Sequence, residues 1–188
     1  GSTKSSMTPV AVSGNLRLRS ISVGWDHACG VTDDNDAYCW GRGRYGRLGN
    51  GSSENSMIPT AVSGGLSFES VNSGLAHTCG KTTDGDAFCW GRGEDGILGN
   101  DSIESSLVPV PVSGGLTFGS IDAGSATTCG ITTNGDAYCW GASDFGSLLG
   151  QGEDDPAGKI APGLVAGEFN FKPNSISVGL DHACAIST

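Results

Sequence analysis

The sequence predicts an all-β fold, namely an incomplete β-propeller of three four-stranded blades plus part of a fourth. Three observations predict it: a repeat of about 50 residues, about four short strand-like segments in each repeat, and 32 Gly among 188 residues, which make turns frequent. One such unit is too small to be stable alone. Copies packed around an axis would bury a common core.

The repeat is defined by residues that recur at a constant interval. These residues are a proline, a tryptophan and two cysteines: Pro9, Pro59 and Pro109; Trp40, Trp90 and Trp140; Cys29, Cys79 and Cys129; Cys39, Cys89 and Cys139. We predict one domain over 3–188, with units at 9–58, 59–108 and 109–161 and a truncated unit at 162–188. We interpret Gly1 and Ser2 as an expression scar.

Each unit contains four segments typical of strands. In the first unit they are PVAV (9–12), SISVG (20–24), HACGVT (27–32) and DAYCWG (36–41). They are short, mostly rich in β-branched or aromatic residues, and bounded by Gly, Asn or Asp. This pattern predicts small antiparallel sheets.

A tight hairpin is predicted between the last two of these segments. The three-residue loop Thr83-Asp84-Gly85 fits a type I turn plus bulge, with Gly85 in the left-handed position. Counting outward from the loop places Cys79 directly opposite Cys89 in a non-hydrogen-bonded pair. The α-carbons of such a pair are roughly 4.5 Å apart, which is within the range of a disulfide.

The same count pairs Cys29 with Cys39 and Cys129 with Cys139. Cysteines that bind zinc usually lie about two to four residues apart, so we predict three disulfides within blades instead. Cys184 remains unpaired, because its counterpart would lie beyond Thr188. We therefore expect a fourth blade that is cut in mid-hairpin, either as a fragment or completed by another chain.

Composition restricts the class of partner. The formal net charge is −10 and only 16% of residues are charged, which opposes binding to nucleic acid. No apolar run approaches the length of a membrane span, so we expect no membrane insertion. Seven cysteines at regular spacing predict an oxidising compartment and a secreted or extracellular protein.

Several polar residues recur beside the predicted strands. His27, His77 and His182 each precede a cysteine by two residues, and we expect structural hydrogen bonds from them in preference to a metal site. The aspartates after the hairpin loops are expected to bond nearby backbone in preference to calcium; they are Asp36, Asp86 and Asp136. The acidic loop Glu153-Asp154-Asp155 is the better calcium candidate. No nucleophile or phosphate-loop motif is present, so we predict no enzyme activity and no cofactor.

Positions that differ between otherwise similar units are candidates for recognition. Four sets of equivalent residues vary: Trp25, Leu75, Ser125 and Leu180; Arg44, Glu94 and Asp144; Tyr45, Asp95 and Phe145; Arg47, Ile97 and Ser147. Arg and Tyr are typical binding anchors. We therefore select Trp25, Arg42, Arg44, Tyr45 and Arg47 as binding candidates. The alternative is ordinary loop variation.

The pattern resembles the regulator of chromosome condensation repeat family. The resemblance is carried by Gly74, His77-Thr78-Cys79, Asp84-Gly85, Cys89-Trp90-Gly91, Gly96-Ile97-Leu98-Gly99, Pro109 and Val112-Ser113-Gly114-Gly115, and it recurs three times. It implies a β-propeller, commonly of seven blades. The Cys-Trp-Gly version is similar to forms in bacterial exported proteins.

From these observations we expect a non-enzymatic extracellular recognition or scaffold module that binds a protein or glycan through loops on one propeller face. One alternative is a homo-oligomer, in which open blade edges pair and complete a ring. Another, implied by the resemblance and by the many functions one fold can host, is an enzyme inhibitor or a protein like a guanine-nucleotide exchange factor.

Overall fold

The computed structural model describes residues 5–142, 150–151, 159–180 and 182–188. In that part of the chain, strands alternate with turns, and the helical segments are two 3₁₀ turns, Arg44–Gly46 and Glu94–Gly96. None of the described helical segments has the length or apolar character to cross a membrane. The predicted calcium loop Glu153-Asp154-Asp155 lies outside the described residues.

The strands form three four-stranded antiparallel sheets and one two-stranded sheet, as predicted. Blade 1 contains β1 (Leu18–Val23), β2 (His27–Thr32), β3 (Ala37–Gly41) and β4 (Ser56–Ala61). Blade 2 contains β5 (Phe68–Ser73), β6 (His77–Thr82), β7 (Ala87–Gly91) and β8 (Ser106–Pro111). Blade 3 contains β9 (Phe118–Ala123), β10 (Thr127–Thr132), β11 (Ala137–Gly141) and β12 (Lys159–Leu164). Blade 4 contains β13 (Ser177–Val178) and β14 (Ala183–Cys184). These described blades do not form a closed ring.

The proline-containing segment of each unit pairs with the sheet that precedes it. Residues 59–61 belong to β4, which pairs with β3 of blade 1. The equivalent segment at 9–12 forms no strand, contrary to the sequence prediction. The physical reason is that no sheet precedes it among the described residues, so its backbone has no edge to pair with.

The hairpins and their disulfides are confirmed. Cys79 lies directly opposite Cys89, with α-carbons 4.1 Å apart, and the same geometry holds for the other two bridges. The Thr82 amide donates to the Asp86 carbonyl oxygen at 2.8 Å, and Gly85 has φ +89°. Cys184 is a free, exposed thiol. Each bridge therefore joins the two middle strands of one blade.

The core lies between neighbouring sheets. Trp90 is fully buried against Phe68 of its own blade, with ring centroids 5.7 Å apart, and Leu48 of blade 1 belongs to the same cluster. Trp140 and Phe118 repeat this arrangement at 6.0 Å, with Ile97 and Leu98 of blade 2 in their cluster. Because each blade supplies side chains to the next, a blade obtains its core from its neighbour.

Candidate binding cleft

The turns that follow the first strand of each blade meet at one end of the molecule. They surround an open cleft of about 180 Å³. Each turn contributes a glycine and the residue after it: Gly24 and Trp25, Gly74 and Leu75, Gly124 and Ser125, Gly179 and Leu180. Trp25 and its varying equivalents Leu75, Ser125 and Leu180 therefore lie around a single cleft, and of the five selected binding candidates Trp25 is the one that lines it.

Backbone hydrogen bonds connect these turns from one blade to the next. The amide of Trp25 donates to the carbonyl oxygen of Gly74 at 3.3 Å, and the amide of Leu75 donates to that of Gly124 at 3.0 Å. Ser125 continues the series to Gly179 at 3.4 Å. A Cβ atom at Gly24 would collide with the Gly74 carbonyl oxygen, so glycine is needed for this close approach.

The cleft offers mainly apolar surface. Trp25 is 74% exposed at one end of the cleft, and Leu180 is 62% exposed at the other. Leu75 and Val178 also line it, and none of the lining residues carries a titratable side chain. The cleft is smaller than the roughly 300–1,000 Å³ of sites that enclose a small molecule. It is suited to contact with one protruding group of a larger partner.

A basic rim lies beside Trp25 at the end of blade 1. The Arg42 Nη1 atom is 3.0 Å from the Asp26 carboxylate, next to Trp25 in the chain. The Arg44 guanidinium lies over the Tyr45 ring, 4.5 Å from its centroid, and makes no ion pair with any described residue. Arg44 is thus an exposed cation available to a partner.

The equivalent loop of blade 2 has the opposite charge. Glu94 and Asp95 replace Arg44 and Tyr45, and both form ion pairs with Arg92. The rim is therefore basic at blade 1 and acidic at blade 2, so the electrostatic potential differs in sign between these two sides of the cleft.

Arg47 differs from the other binding candidates because it is buried. Its side chain is 5% exposed; Nε donates to the Arg44 carbonyl oxygen at 3.0 Å and Nη1 donates to that of Leu75 at 3.1 Å. Burial lowers the pKa of Arg47, and the Asp26 carboxylate 3.7 Å away opposes that change. Arg47 connects blade 1 to the Leu75 turn. It does not line the cleft itself, but it helps to position a turn that does.

Two histidines connect neighbouring blades beneath the cleft, and the predicted structural hydrogen bonds are confirmed for His27 and His77. His27 Nε2 is 2.8 Å from Thr78 Oγ1, and His77 Nε2 is 2.9 Å from Thr128 Oγ1. Thr78 donates its single hydroxyl proton to the Arg47 carbonyl oxygen at 2.9 Å, so the histidine must donate from Nε2. We call this His–Thr pair the blade latch.

Both latch histidines are neutral. Their Nδ1 atoms are buried without a described hydrogen-bond partner. Burial, together with a smaller effect of the positive charge of Arg47, lowers the pKa of His27 to about 4 and that of His77 to about 3. The two latch threonines were not selected from the sequence. The sequence feature that could have indicated them is the variation of the residue that follows each histidine or its equivalent. These residues are Ala28, Thr78, Thr128 and Ala183.

Family models place the chain among known repeats. Two models described as the regulator of chromosome condensation (RCC1) repeat match it. One matches residues 18–47, 68–97 and 120–147, and the other matches 34–80 and 84–131, just over half of the chain. The chain belongs to the RCC1 repeat family.

Solved structures are similar to the chain in fold. Prp20p from Saccharomyces cerevisiae superposes with a TM-score of 0.78 at 21% identity, over 92% of this chain and 44% of that chain. Human WBSCR16 superposes with a TM-score of 0.69 at 17% identity, over 95% of this RCC1-repeat chain and 60% of the WBSCR16 chain. The ectodomain of the receptor kinase CR4 from Physcomitrella patens superposes with a TM-score of 0.56 at 26% identity, over 92% of this chain and 36% of that chain. These likenesses show the RCC1-like propeller fold.

One curated relative matches a short part of the RCC1-repeat chain. The ultraviolet-B receptor UVR8 of Arabidopsis thaliana is 40% identical over 53 residues, which is 27% of this chain and 12% of that protein. The chain thus spans less than two thirds of the length of each of these relatives.

Proposed function

We propose that this RCC1-repeat chain is a non-enzymatic, extracellular recognition module that binds a protein or glycan through the cleft and its basic rim. The observation that carries the proposal is the convergence of Trp25, Leu75, Ser125 and Leu180 on one surface. Their neighbouring glycines are constant and maintain the turns, whereas these residues vary from blade to blade. Such variation on a constant frame is typical of recognition surfaces.

The chemistry of the cleft supports binding in preference to catalysis. General acid–base catalysis requires a titratable group within reach of the reacting atoms. The residues that line the cleft are glycines, small residues, aliphatic residues and Trp25. A large exposed indole beside a cation is instead the composition of binding anchors.

An extracellular location is supported by two observations. Three disulfides connect cysteine pairs within blades, and disulfides persist in oxidising compartments. A similar fold serves as the ectodomain of a receptor kinase in Physcomitrella patens.

The net charge of −10 favours partners other than nucleic acid, because phosphates repel acidic surfaces.

The experiment uses the full chain as bait against a glycan array and a displayed peptide library. Affinities of the recovered binders are then measured for the wild type, W25A and R44A. We expect W25A and R44A to raise the dissociation constant about ten-fold, as expected when a binding anchor is truncated.

The matched control is D84A. Asp84 lies in the β6–β7 turn, at the opposite end of the sheet from the cleft, and is exposed. This variant should bind with the affinity of the wild type. Binders that lose affinity with D84A and tolerate both W25A and R44A would place recognition on the other face and refute the proposal.

A further inference from the structure

The residues of the blade latch change together along the chain. His27 faces Thr78 and His77 faces Thr128, so a histidine donor meets a threonine acceptor at both of these interfaces. Between blades 3 and 4 the donor position holds Thr127 and the acceptor position holds Ala183. Thr127 Oγ1 donates instead to the Ala142 carbonyl oxygen at 3.3 Å, within its own blade.

This covariation has a physical reason. A buried histidine donor that faces alanine has lost its acceptor and bears the full cost of desolvation, which corresponds to about ten-fold or more in an equilibrium constant. A threonine at the donor position avoids that cost by bonding within its own blade. The latch therefore distinguishes matched from mismatched blade faces.

In blades 2 and 3, the face that carries the latch threonine packs against the preceding blade. The equivalent face of blade 1 is open. Ile21 and Val23 are 53% and 75% exposed, whereas the residues equivalent to Ile21 are buried, Val71 at 5% and Ile121 at 3%. The Trp40 indole makes no hydrogen bond with any described residue. Its counterpart Trp90 donates from Nε1 to the Arg47 carbonyl oxygen at 3.0 Å. The acceptor position of this open face is Ala28.

A second copy of the chain would match this face in part. Leu180 continues the series of turn amides, and the Gly24 carbonyl oxygen is the acceptor it would meet across a copy–copy interface. However, the donor position of blade 4 is His182, so a copy docked as the internal blades are would place that histidine opposite Ala28. None of the three closed interfaces pairs a histidine at the donor position with an alanine at the acceptor position.

We propose that Ala28 and His182 are specificity-determining residues, and that the open face of blade 1 accepts a further RCC1-type blade with a short residue at the donor position while rejecting the His182 end of a second copy. The accepted blade also supplies a loop carbonyl for Trp40, as Arg47 does for Trp90. This blade interface adjoins the recognition cleft at Gly24, whereas Ile21, Ala28 and Trp40 belong to the blade interface and do not line the cleft.

The first experiment tests the pairing inside the full chain. T127H places a histidine opposite Ala183, and T127H/A183T rebuilds the matched latch found between blades 1 and 2. We expect the urea midpoint of T127H to lie below that of the wild type, and A183T to raise it again in the T127H background. A183V, which has the shape of threonine without the hydroxyl, should give no such recovery. Equal recovery with A183T and A183V would overturn the pairing rule.

The second experiment tests the open face by sedimentation velocity. A28T gives His182 of a second copy an acceptor, and H182A removes the unmatched donor. We expect both variants to self-associate about ten-fold more tightly than the wild type, and A28V to show no gain. The proposal fails if A28T and A28V associate equally, or if the wild type associates as tightly as H182A.

Discussion

At the scale of single residues, the latch histidines show how burial fixes a protonation state. Each uses Nε2–H as a donor to a threonine in the next blade, while Nδ1 is enclosed without a described partner. A proton on Nδ1 would place a charge in an apolar interface beside Arg47. The pKa of His77 in the folded state is therefore about 3, well below its ordinary value of 6.5.

This shift makes stability dependent on pH. Because the folded pKa lies below the unfolded one, the unfolded chain binds more protons below pH 6.5. The contribution of His77 is fully present above pH 6.5 and is lost as the pH falls toward the folded pKa. The slope of the free energy of unfolding is at most about 1.4 kcal/mol per pH unit for one histidine.

We predict that H77Q reduces this slope between pH 6.5 and 5, measured by urea unfolding at a series of pH values. The matched control is H182Q, because His182 occupies the equivalent position in blade 4 and is exposed. Subtracting each variant from the wild type removes the contribution of the carboxylates. A slope that H77Q leaves unchanged would show that His77 accepts a proton in the folded protein.

The backbone of Tyr45 lies in the left-handed region, which is unfavourable for a bulky residue. It has φ +66°, and Asp95 has φ +62° at the same position in blade 2. Aspartate and asparagine tolerate this left-handed region, whereas a bulky residue there is strained. Strain of this kind is often found at functional sites, which agrees with the proposed rim.

We predict that Y45N raises the free energy of unfolding by about 1 kcal/mol relative to Y45A. Both substitutions remove the contact with the Arg44 guanidinium, so their difference isolates the backbone preference. Thermal or urea unfolding measures it. Equal stability of the two variants would mean that the backbone relaxes once the tyrosine ring is removed.

At the scale of elements, the loop after the third strand joins one blade to the next. In blade 1 this loop places the Arg47 carbonyl oxygen 2.9 Å from Thr78 Oγ1 and Gly49 against the Trp90 indole. The loop follows β3 but completes the core of blade 2. Gly49 therefore combines two constraints, a positive φ of 68° and a close approach to Trp90.

A pair of alanine substitutions separates these constraints. Gly65 has φ +63°, and a Cβ atom there would have no neighbour within 4 Å, so G65A carries only the conformational cost, about 1–2 kcal/mol. A Cβ at Gly49 would lie 2.7 Å from Trp90 Nε1. We predict that G49A lowers the free energy of unfolding by about 1–3 kcal/mol more than G65A, as measured by urea unfolding. Equal losses would show that the Trp90 ring moves freely.

At the scale of the whole molecule, the blades differ in how completely they are covered. All six residues of β6 and of β10 are buried, whereas β1 is exposed at most positions. Blade 4 contributes two described strands of two residues each. Because neighbouring blades complete one another, local stability should follow this coverage.

We predict that amide hydrogen exchange is slowest in β6 and β10, and fastest in β13 and on the edge strand β1. Mass spectrometry of peptides, or NMR, measures it at two protein concentrations. Protection of β1 equal to that of β6 would contradict the prediction. If that protection appeared only at high concentration, it would show that copies cover the open face.

The local features were predictable because they depend on near neighbours in the chain. The three-residue loop and the alternation of β pairing determine that Cys79 opposes Cys89, and the structure confirms it. The segment at 9–12 was predicted as a strand from the same local pattern, and this was wrong because strand formation also requires an available sheet edge. Arg47 was selected by residue type, but its burial depends on contacts with the Leu75 turn and with Asp26.

The sequence by itself determined the repeat, the strands of each blade, the hairpins and the sulfur pairs, because each follows from spacing within about fifty residues. Only the tertiary structure decided that Trp25, Leu75, Ser125 and Leu180 share one cleft, and that histidine and threonine meet between blades. Those contacts join residues about one repeat apart. They form when sheets pack face to face, so spacing along the chain does not reveal which side chains meet.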